Sequence, residues 1–291
     1  MQKAISKYWP VFVLPTLLAF IIGFIWPFIW GIYLSFQRFT TVSKTTFVGL
    51  QNYVKAFTDD QYFYPYFGNT FYFVVALVPI VLVVSLLLAI LINKKAGRLT
   101  KGYRVALFLP SITSTVAVSM VWLWIFNPDM GILNNILTAI GLNDVPLWLG
   151  DPAWSKPALV IMRVWQMSGY YMLMFLAGLQ TIPETLYEAA DVDGATGWQK
   201  FIRITVPMLS NTTFVVAILL VIEAFNMFES IFVMTQGGPL GSTSTIMYYI
   251  YEQGFTNYNM GYASALAWIF FAIIMVVTLI QYRFRHEQGG E

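Results

Sequence analysis

Six long apolar stretches dominate this sequence of 291 residues. A bilayer core about 30 Å thick is crossed by a helix of about 20 predominantly apolar residues. The stretches that meet this length lie at residues 11–36, 70–93, 103–126, 157–180, 212–235 and 261–282. Only 10% of the residues are charged, whereas a soluble domain carries roughly a quarter. The sequence therefore predicts an all-α fold, a polytopic membrane helix bundle with about six transmembrane helices.

The distribution of Lys and Arg predicts how the chain is oriented, because these residues collect in the short cytoplasmic loops of membrane proteins. If the N-terminus is inside, eleven of them fall on the cytoplasmic side and four on the outer side. The inner group is Lys3, Lys7, Lys94, Lys95, Arg98, Lys101, Arg104, Lys200, Arg203, Arg283 and Arg285, and the outer group is Arg38, Lys44, Lys55 and Lys156. We therefore expect both termini in the cytoplasm.

Reactive residue types are scarce in the chain. It has no cysteine and one histidine, His286, near its C-terminus. This composition argues against disulfides, thiol nucleophiles, Cys/His metal sites and Ser-His-Asp triads. The net charge of +2 is too small to indicate a nucleic-acid-binding surface. We therefore expect no catalytic residues, no metal site and no nucleic-acid partner.

The connection between the fourth and fifth stretches, residues 181–209, has the pattern of two short helices. Thr181 and Glu184 have the spacing of a capping box, which predicts the start of a helix. Gly194 would end that helix, and Thr196 is suited to cap a second one. The sequence predicts two helices joined by a glycine turn at the inner membrane surface.

The same connection carries the order Glu188-Ala189-Ala190, Asp193-Gly194-Ala195, Ile204 and Pro207. This pattern resembles the EAA motif of permease subunits of binding-protein-dependent ABC importers. The resemblance is to the carbohydrate-uptake branch, which contains maltose-type and glycerol-phosphate-type permeases, and it extends from about the second stretch to the C-terminus. It is also carried by Phe108-Leu109-Pro110, Asn127-Pro128, Phe225-Asn226-Met227-Phe228, Thr235-Gln236-Gly237-Gly238-Pro239, Tyr249-Ile250-Tyr251 and Gly261-Tyr262-Ala263.

The resemblance implies a transmembrane permease subunit of an ATP-driven importer of a sugar or oligosaccharide, which forms the translocation pathway and is not itself an enzyme. It also implies that the loop couples to a separate ATPase subunit. The coupling residues implied in this way are Glu188, Ala189, Ala190, Asp193, Gly194 and Ala195. The chain contains no GxxxxGK[ST] sequence for phosphate binding. We therefore expect no cofactor on this chain, with ATP and Mg on the partner ATPase.

The resemblance further implies partners, location and domain organisation. The partners are a second permease subunit in a heterodimer, two ATP-binding subunits, an extracytoplasmic solute-binding protein and the membrane lipid. The location is the bacterial or archaeal cytoplasmic (inner) membrane. Residues 1–69 would carry the first transmembrane helix and an external segment, residues 70–286 a five-helix permease core with the EAA loop at 181–209, and residues 287–291 a cytoplasmic tail.

Charged residues inside the apolar stretches are the candidates for solute contacts. A charge at the centre of a membrane helix costs roughly 2.5–3.5 kcal/mol on insertion scales and usually faces a cavity or a partner. Arg163, Glu223 and Glu229 are such residues, and Ser111 and Thr115 form a polar i,i+4 pair. The predicted substrate pathway consists of Ser111, Thr115, Arg163, Gln166, Met167, Tyr170, Glu223, Asn226 and Met227.

A sugar needs hydrogen-bonding groups and an aromatic face, such as Trp165 or Tyr170, against the apolar side of its ring. The predicted positions also look like those that line the sugar site of the maltose-type relatives. A different interpretation is that Arg163 and Glu223 only neutralise each other, and that the Ser and Thr hydroxyls bond to their own backbone. Glu229 would then lie near the outer end of its span and contact only water.

Two segments fall on the predicted outer side. Residues 131–142 predict a short interfacial helix, which either covers the end of the bundle or docks an external partner. Gly237, Gly238 and Pro239 predict a flexible external hairpin. We interpret this hairpin as an outer gate or a contact for the solute-binding protein, with an ordinary turn as the alternative.

Two other functions fit single features of the sequence. Asp191 and Asp193 have the spacing of a DxD metal-diphosphate site of a membrane transferase. Glu223 would suit an ion-coupled secondary transporter. The alanines and the glycine around the two aspartates fit the EAA pattern better, and neither function accounts for an EAA loop.

Overall fold

A computed structural model describes residues 11, 13–39, 45–93, 98–142 and 144–288. Its helices and strands are, in chain order, α1 (Val13–Ser35), β1 (Gln37–Arg38), β2 (Thr46–Phe47), α2 (Gln51–Thr58), α3 (Phe63–Asn93), α4 (Arg98–Ile112), α5 (Thr115–Ile125), α6 (Ile132–Ala139), α7 (Pro152–Gln180), α8 (Glu184–Val192), α9 (Gly197–Lys200), α10 (Val206–Met208), α11 (Ser210–Phe225), α12 (Glu229–Met234), α13 (Ile246–Tyr251) and α14 (Met260–Gln288). Wider π-helical turns lie at Ile21–Ile25, Phe201–Thr205 and Glu252–Thr256.

The predicted all-α, polytopic fold is confirmed. Within the residues that the structure describes, five helical segments are long and apolar enough to cross a membrane, and a bent pair of helices forms a sixth candidate span. The segments are Val13–Ser35, Phe63–Asn93, Lys101–Ile112 with Thr115–Ile125, Pro152–Gln180, Ser210–Met234 and Met260–Arg283. Each overlaps one of the six predicted stretches. The predicted positions of Lys3, Lys7, Lys44, Lys94, Lys95 and the last three residues of the tail lie outside the described residues.

The third span is bent by 99° between α4 and α5. Pro110 lies in the last turn of α4 and has no backbone N–H to donate, which weakens the helix there. Ser114 then adopts an extended conformation, with φ −52° and ψ 132°, before α5 begins. The stretch predicted as one span at residues 103–126 is therefore two helices.

The chain divides into two compact units, and the smaller comprises Met1–Phe63 and Tyr249–Ile273. In this unit, the carboxylate of Asp60 accepts hydrogen bonds from the hydroxyls of Tyr249, at 2.7 Å, and of Tyr262. The ammonium of Lys55 lies 4.4 Å from the centroid of the Tyr262 ring. Tyr249 and Tyr262 belong to two different motifs that carried the family resemblance, and these motifs thus meet at the carboxylate of Asp60. The apolar window of α1 buries none of its residues against the described part of the chain.

The second unit comprises Tyr64–Tyr248 and Ile274–Glu291. Its core is formed where α3, α7 and α11 pack, with Val81, Met172 and Leu220 fully buried. Lipid tails are as apolar as these side chains, so close packing rather than the hydrophobic effect holds such helices together. At Gly169, a Cβ atom would lie 1.9 Å from the carbonyl oxygen of Leu107, so the crossing of α4 and α7 requires glycine.

Candidate functional site

An ion pair joins α7 and α11 inside the second unit. Arg163 Nη2 lies 2.9 Å from Glu223 Oε1, and Arg163 Nη1 donates to Gln166 Oε1 at 2.7 Å. The Tyr171 hydroxyl donates to Glu223 Oε2 at 2.8 Å. The Arg163 side chain is 9% exposed and the Glu223 side chain 42% exposed. The structure thus pairs the two charges while leaving the carboxylate partly accessible.

Two cavities adjoin this ion pair. One, of about 510 Å³, is called here the loop-side cavity, because its residues on α11 lie nearer along that helix to the 181–209 loop than those of the other cavity. It is lined by Ser111, Thr113, Thr115, Arg163, Gln166, Met167, Tyr170, Tyr171, Leu219, Ile222 and Glu223. The other, of about 360 Å³, is called the far-side cavity, and it is lined by Thr115, Arg163, Glu223, Asn226, Met227, Phe228, Glu229, Ser230 and Met247.

The nine residues predicted as the substrate pathway all line these cavities. Seven of them line the loop-side cavity, and Asn226 and Met227 line only the far-side one. The α11 helix ends at Phe225, so these two residues reach the cavity from the break before α12. Glu229 begins α12, is exposed and also lines the far-side cavity.

Two details of the pathway prediction were wrong. Ser111 and Thr115 do not share the face of one helix, because the chain breaks between them. The Ser111 hydroxyl donates to the Phe108 carbonyl at 2.7 Å, whereas Thr115 Oγ1 accepts from Gln166 Nε2 at 3.3 Å. Trp165 faces a separate, mainly apolar cavity with Leu88 and Leu107, so it cannot stack on a solute in the polar cavities.

Sequence reasoning missed Tyr171. The helical spacing from Arg163 selected Tyr170, whose side chain is 46% exposed and lines the loop-side cavity. Its neighbour Tyr171 is 2% exposed and reaches Glu223 on another helix. The sequence does show two adjacent tyrosines inside one span. The spacing of residues within one helix, however, does not show which of them contacts a residue on a neighbouring helix.

The 181–209 loop has the predicted form of two helices with a glycine turn. Gly194 has φ +73°, a conformation that costs an L-residue with a side chain roughly 1–2 kcal/mol. Thr196 caps α9 in a complete capping box with Gln199. The capping box predicted at Thr181 and Glu184 was wrong. The Thr181 hydroxyl bonds back to the Gly178 carbonyl at 2.8 Å, because Thr181 ends α7.

Cross-links between side chains hold the two helices of the loop together. Lys200 Nζ lies 2.5 Å from Asp191 Oδ1, and the hydroxyls of Tyr187 and Thr205 are 2.9 Å apart. Of the predicted coupling residues, the exposed ones are Glu188, Ala189, Asp193 and Gly194, and the partly buried ones are Ala190 and Ala195.

Large apolar side chains stand out from this loop. Val192 is 89% exposed and Trp198 is 68% exposed, while Leu186 and Ile202 are 40% and 47% exposed. The loop thus presents apolar side chains on a braced frame, as sites of protein or membrane contact do.

The segment around Gly237 is a braced turn, so the prediction of a flexible hairpin was wrong. Thr243 Oγ1 donates to the Gly238 carbonyl at 2.7 Å, and Asn69 Nδ2 donates to the Gly241 carbonyl at 3.0 Å. Gly237 itself is buried. The side chain that projects from the turn is Leu240, which is 98% exposed and was not predicted.

The short helix predicted at residues 131–142 is present as α6. Its Asn134 is 4% exposed and accepts a hydrogen bond from Trp148 Nε1 at 2.7 Å. Ile136 on α6 and Ile140 directly after it remain exposed.

A family model for the inner membrane component of binding-protein-dependent transport systems matches residues 67–287. The chain belongs to this permease family. The match begins in the second span and includes both cavities and the 181–209 loop. The permease sequence is also 37% identical over 274 residues to the arabinooligosaccharides transport system permease protein AraP of Halalkalibacterium halodurans, with 93% of this chain and 85% of that protein covered.

The permease resembles further transport proteins along nearly its whole length. It is 36% identical to the sn-glycerol-3-phosphate transport system permease protein UgpA of Brucella abortus, with 98% of this chain and 97% of that protein covered. Its fold matches a chain of a bacterial ABC transporter that imports the acidic polysaccharide alginate, with a TM-score of 0.84, 26% identity and 98% of each chain covered. A structure of the alginate transporter with a pentasaccharide-bound periplasmic protein matches with a TM-score of 0.83 and 27% identity, covering 97% of this chain and 95% of that one. The permease is thus a multi-pass membrane protein of the ABC importer class.

Proposed function

We propose that this permease forms the translocation pathway for a sugar or oligosaccharide in an ATP-driven importer. The observation that carries the proposal is the pair of cavities that meet at Arg163 and Glu223. Ionisable residues within membrane spans are rare and usually mark a substrate pathway. The hydroxyl, amide and charged groups in the cavity walls can replace the water around a hydroxyl-rich solute. The names of the arabinooligosaccharide and alginate transporters support a carbohydrate.

The 181–209 loop is proposed as the coupling element. It connects directly to α7 and, through α10, to α11, the two helices that carry Arg163 and Glu223. A rigid loop at this position would transmit movement of an ATPase subunit to the walls of the cavities. The exposed Val192 and Trp198 support this role, because they offer an apolar surface to a partner. ATP and Mg would be bound by the partner, with no cofactor on this chain.

The remaining partners and the topology are part of the same proposal. The projecting Leu240 and the turn at Gly237, Gly238 and Pro239 would form the outer gate or contact the solute-binding protein. A second permease subunit, in a heterodimer, would cover apolar surface such as that of α1. Both termini would lie in the cytoplasm of a bacterium or archaeon, with the domain boundaries 1–69, 70–286 and 287–291.

The structure gives no support to the transferase alternative. Asp191 is engaged by Lys200. Within the described residues, no three acidic or histidine side chains are grouped in a way that could hold a metal ion. The chain is proposed as a transport subunit rather than an enzyme.

Reconstitution in proteoliposomes tests the proposal. The permease, its second permease subunit and the ATPase are incorporated, and labelled arabinooligosaccharide is supplied with the solute-binding protein. We expect uptake only by the complete assembly, and only when ATP is present on the side of the membrane where the ATPase lies. Uptake by the permease subunits alone, driven by a sodium or proton gradient, would instead identify a secondary transporter.

A further inference from the structure

The Arg163–Glu223 pair lies, with Thr115, in the wall that the two cavities share. Both residues line the loop-side and the far-side cavity. On α11, Leu219 and Ile222 of the loop-side cavity precede Glu223, and Asn226 of the far-side cavity follows it. A solute that moves from one cavity to the other along their shared wall therefore passes this ion pair.

A solute that passes the ion pair can contact more of the Glu223 carboxylate than of the Arg163 guanidinium. The Glu223 side chain is 42% exposed, against 9% for Arg163. The terminal nitrogens of Arg163 donate to Glu223 and Gln166, and its Nε is buried away from solvent. The two oxygens of Glu223 accept from Arg163 and Tyr171 and can each accept a further hydrogen bond. Glu229 adds a second carboxylate to the wall of the far-side cavity. The accessible charge along the pathway is therefore negative.

An ionised carboxylate discriminates between solutes by the hydrogen bonds it can make. It accepts hydrogen bonds and cannot donate them, so it pairs with the hydroxyl groups of a neutral sugar. A phosphate, sulfonate or carboxylate group on a solute also offers acceptors, and its charge is repelled more strongly in a cavity than in bulk water. The relatives do not decide this point, because arabinooligosaccharides are neutral whereas sn-glycerol-3-phosphate and the acidic polysaccharide alginate are anions.

We propose that Glu223 is a specificity-determining residue of the pathway, which admits neutral polyhydroxyl solutes and disfavours anionic ones. The proposal rests on the proposed function, because it assumes that solute crosses between the two cavities. Arg163 acts as a positioning residue, which together with Tyr171 holds the carboxylate at the boundary.

The absence of cysteine from the sequence allows a direct test. Single cysteines are introduced at Ser111→Cys, in the loop-side cavity, and at Asn226→Cys, in the far-side cavity, of the assembled importer. Two thiosulfonate reagents are compared, a neutral one that carries a glucosyl group and an anionic one that carries a sulfonatoethyl group. The readout is the modification rate with the neutral reagent divided by the rate with the anionic reagent. This ratio is normalised by the same ratio for a free thiol in solution.

We expect the neutral reagent to be favoured at both cysteines. Glu223→Gln should lower the normalised ratio by about tenfold, which corresponds to about 1.4 kcal/mol. The matched control is Glu229→Gln, which should change the ratio at Asn226→Cys and leave it unchanged at Ser111→Cys. The double variant Arg163→Gln with Glu223→Gln leaves no buried cation without a partner, and it should lower the ratio in the same direction.

Two results would overturn the inference in different ways. If both cysteines react but Glu223→Gln and the double variant keep the original ratio, Glu223 does not select solutes and the proposed pathway stands. If neither cysteine reacts with either reagent in the nucleotide-free or the ATP-bound importer, the cavities are not part of a water-filled pathway. In that case the proposed pathway is wrong as well.

Discussion

Substitutions at Gly194 isolate the turn of the coupling loop from the surfaces around it. A Cβ atom at this position would meet no other atom within 4 Å, so the penalty of Gly194→Ala comes from the backbone alone. At φ +73° that penalty is roughly 1–2 kcal/mol. A free-energy change of this size shifts a two-state equilibrium by a factor of about 5–30. Solute-stimulated ATP hydrolysis should therefore fall severalfold in Gly194→Ala, while the permease still inserts into the membrane and assembles with its partners.

A graded series of variants sharpens this prediction. Asn tolerates the left-handed conformation better than Ala, so Gly194→Asn should retain more activity. Gly194→Pro forces φ near −65° and removes the N–H that donates to the Asp191 carbonyl at 3.1 Å, so it should abolish coupling. The matched control is Gly197→Ala, because Gly197 begins α9 without a positive φ and has equally open surroundings.

The assay is solute-stimulated ATP hydrolysis by the importer in proteoliposomes, with co-purification of the ATPase as a check on assembly. We expect activity to decrease from the original protein to Gly194→Asn, then to Gly194→Ala and finally to Gly194→Pro. Gly197→Ala should be close to the original protein. Equal activity of Gly194→Ala and the original protein, or an equal loss in Gly197→Ala, would refute the argument from the turn.

Three further substitutions test other parts of the account. Glu188→Lys reverses an exposed charge on α8 and should abolish transport with normal membrane insertion; normal uptake would remove Glu188 from the coupling surface. Arg163→Ala removes the cation that holds Glu223 and should change solute selectivity or basal ATP hydrolysis, and no change in either would leave Arg163 with a structural role only. Gly169→Ala should lower the melting temperature of the detergent-solubilised protein, because the new Cβ would lie 1.9 Å from the Leu107 carbonyl, whereas Gly102→Ala, in open surroundings on α4, should not.

The sequence was sufficient to locate the spans and the loop, because these depend on local properties. Hydropathy over about 20 residues defines a span, and Gly194 with Thr196 defines the turn within a few residues. The face shared by Arg163 and Gln166 also followed from the period of one helix. The hydrogen bond between these two side chains agrees with that spacing.

The features that were missed or wrongly predicted depend on other parts of the chain. The turn at Gly237 is braced by Asn69, which lies 172 residues before Gly241, its hydrogen-bond partner. Tyr171 contributes through a glutamate on another helix. Thr181 has the spacing of a cap for α8, but its hydroxyl is already bonded to the end of α7. Local patterns do not show which of two competing hydrogen bonds forms, and they do not show contacts between distant helices.

The central claim is that the 181–209 loop docks on a separate ATPase and moves the helices that line the cavities. Since the sequence contains no cysteine, Val192→Cys provides a single attachment point on the most exposed apolar side chain of the loop. A short thiol-reactive cross-linker is applied to the assembled, transporting importer. We predict that Val192→Cys cross-links to the ATPase and that the yield changes with bound nucleotide. Cross-links confined to this chain or to lipid, in an importer that transports normally, would contradict the account.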